Sequence, residues 1–229
     1  MRRVVTPAQP TPPAVLRVHA IEPCTRTNGP GRRSTLWLQG CSLRCPGCFN
    51  PTTHAHAHGL LIPVDEVYAS LAHPPEPVEG ITISGGEPLE QASPLLALLR
   101  RVRAETSLSV LLFTGLPWEQ AKRHADLGSL VDVVLAGPYV VRHHLAQGLR
   151  GSSNKTIHLL TPRYTRADLE AVPAAEIFID PTGTITLTGI DPLAQLQSPP
   201  KASSLPEART HPEAPTPSAP THSTTRGRP

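Results

Sequence analysis

The chain has 229 residues, of which 38% are hydrophobic and 17% are charged, and its formal net charge is +3. This length suffices for one domain with a buried core, but the small and scattered positive charge gives no indication of nucleic acid or an anionic membrane as a partner. No apolar run reaches the roughly 20 residues that span a bilayer.

The N-terminal segment also lacks the apolar run of a secretory signal, because prolines occupy positions 7, 10, 12 and 13. We therefore expect a cytoplasmic protein, in which clustered cysteines bind metal or do chemistry more often than they form disulfides. Residues 1–13 and the Pro/Ser/Thr-rich residues 194–229 have too little apolar surface to offset the entropy of ordering. The composition predicts disordered ends around one domain, residues 14–193.

Short apolar runs alternate with amphipathic segments throughout this domain. The pattern predicts strands at Val15–Ile21, Ser34–Leu38, Gly80–Ser84, Leu108–Thr114, Val131–Ala136 and Lys155–Leu160, and helices at Ile62–Leu71, Pro94–Val102, Trp118–Ala125 and Arg166–Val172. A hairpin of Glu176–Asp180 and Thr184–Thr188 is expected around Gly183. The repeated strand–helix alternation favours an α/β fold with a mainly parallel sheet and outer helices.

Three cysteines, Cys41, Cys45 and Cys48, occupy one loop after the second predicted strand, with the spacing C-x3-C-x2-C. A four-iron cluster held by only three thiolates keeps one iron open to an outside ligand. Taken alone, the loop also fits a structural zinc site in which Cys24 supplies a fourth thiolate. A zinc site does not explain the later S-G-G-E-P at residues 84–88, so an iron–sulfur cluster is favoured.

Five short motifs follow one another along the chain: N-G-P-G-R at 28–32, C-P-G-C-F-N-P at 45–51, S-G-G-E-P at 84–88, F-T-G at 113–115 and L-R-G-S-S-N at 149–154. In order and approximate spacing they resemble the glycyl-radical-enzyme activating proteins of the radical S-adenosylmethionine (SAM) superfamily. The similarity covers roughly residues 16–190 and is greatest to the activators of anaerobic ribonucleotide reductase. It implies a partial, open βα barrel.

This resemblance implies that Cys41, Cys45 and Cys48 bind a [4Fe–4S] cluster and that SAM chelates the open iron. The residues that it assigns to SAM are Phe49, Ser84, Gly85, Gly86, Glu87 and Thr114, with the Gly-Gly-Glu segment at the amino group. Electron transfer from the reduced cluster would then cleave SAM to methionine and a 5′-deoxyadenosyl radical.

The implied substrate is a glycine of a partner glycyl-radical enzyme, anaerobic ribonucleotide reductase, with reduced flavodoxin or ferredoxin as the electron donor. One alternative is a radical SAM enzyme that acts on a peptide or small molecule, and another is a zinc-binding module without catalysis. Asn28 and Ala136 stand where the family often has an acidic residue, and Lys155 stands where a glutamine is usual. These departures leave the cluster and SAM motifs intact and bear on the partner.

Two other polar segments stand out. His54, His56 and His58 alternate, so they would share one face of an extended segment and allow a second metal site. A solvated loop is favoured because no fourth ligand is visible nearby. The R-G-S-S-N segment, residues 150–154, is long for a mere connection, and we expect a functional loop there.

Overall fold

A computed structural model describes residues 14–179 and 181–190 of the chain. The expected disordered ends, residues 1–13 and 194–229, lie outside the described residues, as does Asp180 of the expected hairpin. None of the helices in the described part of the chain is long and apolar enough to cross a membrane.

The described residues form three sheets. Their strands are β1 Val15–Thr25, β2 Arg33–Leu38, β3 Leu60–Pro63, β4 Gly80–Gly85, β5 Ser109–Phe113, β6 Val133–Ala136, β7 His144–Gln147, β8 Arg150–Ser152, β9 Thr156–Leu159, β10 Ala175–Ile179 and β11 Ile185–Gly189. The main sheet has the order β3-β1-β2-β4-β5-β6-β9, while β7–β8 and β10–β11 are two-stranded. The last pair confirms the expected hairpin, with Gly183 at a positive φ of 87°.

Most strands of the main sheet run in one direction. β2, β4, β5 and β6 are parallel neighbours, whereas β1 and β9 pair antiparallel with β2 and β6. β3 pairs antiparallel with β1 and so runs with β2. Five of the seven strands therefore share a direction, which confirms the mainly parallel sheet.

Helices pack against this sheet in two separate cores. They are α1 Val64–Ala72, α2 Ala92–Glu105, α3 Trp118–Ala121, α4 Leu127–Leu130 and α5 Arg166–Glu170. Leu95, Leu98, Leu99 and Val102 of α2 are buried at intervals of three and four residues, the spacing of one helix face. They join α1, α4 and alternate residues of the central strands in one large apolar core. A smaller core of six buried residues, including Leu111 and Leu135, involves β5, β6 and β9.

Two predicted helices were wrong in extent. Ile62 and Pro63 belong to β3, where Pro63 pairs with Val15, and α1 begins only at Val64. A proline lacks the donor that the sheet interior needs, so it suits the end of this edge strand. The helix expected from Trp118 stops at Ala121, and the short α4 follows separately. The strands β3, β7 and β8 were not expected.

Candidate functional site

The carboxyl ends of β2, β4 and β5 meet around one cavity of about 130 Å³, which we call the strand-end cavity. Parallel strands direct their following loops to the same edge of a sheet, where α/β proteins bind ligands. Eight of the nine predicted site residues line it: Cys41, Cys45, Cys48, Phe49, Ser84, Gly85, Gly86 and Thr114. The structure therefore brings together motifs that are up to 73 residues apart in sequence.

Backbone hydrogen bonds fix the cysteine loop to the end of β4. The Gly86 N–H donates to the Leu38 carbonyl at 2.8 Å, and the Glu87 N–H donates to the Gly40 carbonyl at 2.9 Å. A Cβ atom on Gly86 would lie 2.1 Å from the Gly40 oxygen. The second glycine of the motif is thus required by the close approach of two backbones.

Glu87, the ninth predicted residue, is fully buried and lies outside the cavity lining. Its Oε1 accepts from the Leu89 N–H at 3.0 Å and from the Thr114 hydroxyl at 2.7 Å, and its Oε2 accepts from the Gly115 N–H at 2.7 Å. A carboxylate offers about four acceptor positions, so one position on Oε2 is left over. Burial raises the pKa of Glu87, although these hydrogen bonds lower it in part.

The three histidines do not share one site. His54 lines the strand-end cavity, and its Nε2 is buried without a hydrogen-bond partner among the described residues. His56 instead has its Nε2 2.8 Å from Oε2 of Glu90, and His58 is exposed. No three His, Cys, Asp or Glu side chains in the described part of the chain are gathered as they would be around a single metal ion.

The segment 149–155 contributes a wall of the cavity. Leu149, Gly151 and Lys155 line it. A Cβ atom on Gly151 would lie 2.4 Å from the ring of Phe49, so this glycine lets the segment pack against the residue that follows Cys48. The expected functional loop therefore reaches the site, although no local sequence pattern indicates this contact.

Comparison with known proteins shows the family of this chain. Residues 27–158 match the family of 4Fe-4S single cluster domains, more than half of the chain. The anaerobic ribonucleoside-triphosphate reductase-activating protein of Salmonella typhi is 32% identical over 153 residues, 63% of this chain and 99% of that protein. The protein of the same name from Enterobacteria phage T4 is 31% identical over 143 residues, 60% of this chain and 90% of that protein.

The chain is also similar to an activating enzyme with a different named target. The pyruvate formate-lyase-activating enzyme of Clostridium pasteurianum is 31% identical over 118 residues, 48% of this chain and 50% of that enzyme. This chain belongs to the radical SAM family of glycyl-radical-enzyme activating proteins. It is therefore an enzyme, and its cofactors are a [4Fe–4S] cluster and SAM. The hairpin β10–β11 lies beyond the part that matches the 4Fe-4S domain.

The thiols in the cavity fit the cluster of a radical SAM protein. Each thiolate of such a cluster binds a different iron, so the sulfur atoms need not converge on one point. Burial raises the pKa of Cys41 and of Cys48, so both thiols keep their protons more firmly than free cysteine. Iron binding has to displace these protons, which couples cluster assembly to pH.

Cys24 lies far from these three cysteines. It belongs to β1, between Glu22 and Thr25, which pair with Thr35 and Arg33 at the start of β2. Roughly 13 Å of strand follows before β2 ends and the cysteine loop begins. The fourth thiolate of the zinc alternative is thus at the opposite end of the sheet.

An adjoining cavity of about 410 Å³ provides room for a cofactor larger than the cluster. It shares six lining residues with the strand-end cavity: Phe49, Asn50, Thr53, Ser84, Phe113 and Ile190. Trp37 of β2 and residues 186–189 of β11 form further parts of its lining. A volume of this size is typical of small-molecule sites, so the site of this radical SAM protein fits a nucleoside-containing cofactor beside a cluster.

Proposed function

We propose that this protein activates an anaerobic ribonucleotide reductase by removing a hydrogen atom from a glycine Cα of that enzyme. The observation that carries the proposal is the meeting of three cysteine thiols with the Gly85–Gly86 backbone at one cavity. A thiol set with three members leaves one iron of a [4Fe–4S] cluster available to SAM. A [4Fe–4S] cluster held by Cys41, Cys45 and Cys48, with SAM at its open iron, would supply the one-electron reductive cleavage of SAM that generates the hydrogen-abstracting radical.

In this proposal each residue of the site has one task. Cys41, Cys45 and Cys48 bind three irons. The Gly85–Gly86 backbone receives the amino group of SAM, and the buried Glu87 carboxylate adds negative charge behind it while its bonds to Leu89, Thr114 and Gly115 hold the neighbouring backbone. The other lining residues assigned to SAM are Phe49, Ser84 and Thr114.

His54 and the ring pair of Phe49 and Tyr139 also support the proposal that a cofactor occupies the cavity. The buried His54 Nε2 has no partner among the described residues, and a buried polar group of this kind costs free energy unless something binds to it. A cofactor in the cavity would provide that partner. The ring of Phe49 lies 4.6 Å from the ring of Tyr139, and this pair helps to exclude water from the site.

The partner is inferred from the relatives whose names specify anaerobic ribonucleoside-triphosphate reductase. We propose reduced flavodoxin or ferredoxin as the one-electron donor and the cytoplasm as the location, where thiols stay reduced. The open βα barrel also belongs to the proposal, supported by five strands of shared direction with helices packed against them.

The test is anaerobic reconstitution with iron and sulfide, followed by electron paramagnetic resonance of the dithionite-reduced protein with and without SAM. We expect a four-iron signal that changes when SAM is added, and release of 5′-deoxyadenosine. Purified anaerobic ribonucleotide reductase should then acquire a glycyl radical signal. SAM cleavage without that signal would contradict the partner and favour a peptide or small-molecule substrate, whereas protein that takes up zinc and no iron–sulfur cluster would overturn the function.

A further inference from the structure

A lysine outside the cysteine and glycine motifs reaches the strand-end cavity. Lys155 immediately precedes β9 and lines the cavity. Its Nζ donates to the Gly137 carbonyl, and a second contact of 3.5 Å reaches the Thr114 carbonyl. These carbonyls follow β6 and β5, so the ammonium lies at the strand edge where the cysteine loop also lies.

The surroundings of Lys155 combine burial with negative charge. Burial lowers the pKa of the Lys155 ammonium, while Glu87, Cys45 and Cys48 raise it in part. Lys155 lines the same cavity as Cys45 and Cys48. Lys155 is the single Lys or Arg among the described residues that line the cavity.

An ammonium has three donors, and the two carbonyls account for two of them. The third donor of Lys155 has no hydrogen-bond partner among the described residues, although the group is largely enclosed. If Lys155 served only to link the ends of β5 and β6, it would need neither a charge nor a third donor. The geometry thus leaves a charged group and one donor available to whatever occupies the cavity.

We infer that Lys155 is a fixed cation that raises the reduction potential of the [4Fe–4S] cluster; this inference rests on the proposed cluster site at Cys41, Cys45 and Cys48. Reduction adds one electron to the cluster and hence one negative charge. A cation held nearby in a poorly solvated site stabilises the reduced form more than the oxidised form. Net charge and hydrogen bonds to the sulfurs are among the factors that set cluster potentials.

The experiment measures midpoint potentials of the reconstituted full-length protein by dye-mediated equilibrium titration, with electron paramagnetic resonance as the readout. Lys155→Met removes the charge and keeps the length of the side chain, so its midpoint should shift to a more negative value. Lys155→Arg keeps the charge and should stay near wild type. Lys122→Met is the matched control, because Lys122 is an exposed lysine paired with Glu119 at 2.6 Å, and its midpoint should not shift.

Iron and sulfide content, measured first, separates this inference from the proposed function. Wild-type protein that binds no cluster would defeat the proposed function itself. A full cluster in Lys155→Met with the wild-type midpoint would overturn only the role of Lys155, and a lower melting temperature in that variant would then assign it a structural role. Should Lys155→Met lose its cluster, Lys155→Gln, which retains an amide donor for the carbonyls, takes its place. Loss of the cluster from both neutral variants would also overturn the inference, since a charge that only adjusts the potential is not needed for assembly.

Discussion

The two ends of the same parallel strands hold different polar groups: a fully hydrogen-bonded arginine at the amino end, and a cavity with a histidine nitrogen unpartnered within the described part of the chain at the carboxyl end. At the amino end, Arg33 of β2 is fully buried, and all three of its side-chain nitrogens donate hydrogen bonds. The acceptors include the Thr82 hydroxyl at 2.8 Å, the Ser109 hydroxyl at 2.8 Å and the Ile81 carbonyl at 2.7 Å. At the carboxyl end, the buried His54 Nε2 has no partner among the described residues and a cavity replaces packed side chains.

This difference indicates that one end of these strands contributes mainly to stability and the other end mainly to ligand binding. A closed network such as that of Arg33 contributes to stability, because each buried polar group loses free energy if its partner is removed. Incomplete satisfaction at the other end lowers stability and keeps groups available for a ligand. Stability and cofactor binding should therefore respond separately to changes at the two ends.

The largest expected effect on cofactor binding, with little effect on stability, comes from removing a cysteine thiol at the carboxyl end. Cys45→Ala and Cys48→Ala should each lose the [4Fe–4S] cluster and bring SAM cleavage below detection, because a three-thiolate site has no spare ligand. The apo-protein should change its free energy of unfolding by less than about 1 kcal/mol, since both side chains are only partly buried. Iron analysis and denaturant titration measure the two effects.

Cys24→Ala is the matched control for these variants. It should retain iron and SAM cleavage, because Cys24 lies beside the start of β2. Full SAM cleavage by Cys45→Ala would show that the assignment of cluster ligands is wrong.

Replacing Arg33 tests the amino end. Arg33→Met leaves the Ile81 and Ser109 carbonyls without their donors, and we expect the free energy of unfolding to fall by about 3 kcal/mol. Cluster content per folded chain should stay at the wild-type value. Arg100→Met, which removes an exposed pair with Asp126, should change stability by less than about 1 kcal/mol. A cluster lost at unchanged stability in Arg33→Met would contradict the separation of the two ends.

Replacing Gly86 should affect both stability and cofactor binding, because its backbone contact supports the cysteine loop. Gly86→Ala introduces a Cβ atom 2.1 Å from the Gly40 oxygen and 3.1 Å from the Thr53 oxygen, so the loop has to move. We expect a loss of about 2 kcal/mol in stability and a SAM dissociation constant raised about tenfold. Isothermal titration with SAM and denaturant unfolding would measure both.

Gly128→Ala serves as the control for that variant. Gly128 lies in α4, where an added Cβ atom would meet open space, and an alanine there should increase stability by about 0.5 kcal/mol. If Gly86→Ala behaved like Gly128→Ala, the close approach of Gly86 to the loop would not matter for the site.

The meeting of the motif residues at one cavity can be predicted from the sequence because their signals are local. The spacing of Cys41, Cys45 and Cys48 can be read in eight residues, and Gly85–Gly86 directly follows an apolar strand. Parallel pairing of β2 with β4 and β4 with β5 then brings these ends together. The strand–helix alternation predicted the parallel sheet for the same reason.

Residues whose roles depend on distant contacts could not be predicted in this way. Lys155 reaches carbonyls 18 and 41 residues away, and Arg33 bonds to a hydroxyl 76 residues away. His54 looked like one member of an alternating triplet, and only the folded loop separates it from His56. The helical spacing that included Ile62 in α1 likewise ignored an edge strand that forms only by pairing with β1.

The smallest expected effect is a change in stability on acidification, which again concerns the amino end of the parallel strands. Asp132 precedes β6, and its side chain is 4% exposed. Burial raises the pKa of this carboxyl, but hydrogen bonds from the Val110 N–H, the Thr161 hydroxyl and Arg103 outweigh burial and leave the pKa below its ordinary value. In the unfolded chain the carboxyl group of Asp132 has a pKa of about 3.9, so the unfolded state binds more protons than the native state. The carboxylate therefore stabilises the fold above that pH and loses its effect as the pH falls through the native pKa.

Asp132→Asn should be less stable than wild type at pH 7, and denaturant titrations should show the difference in stability shrinking between about pH 5 and pH 3. A difference that stays constant over this range would mean that the amino end is held by packing around position 132 and not by the charge of its carboxylate.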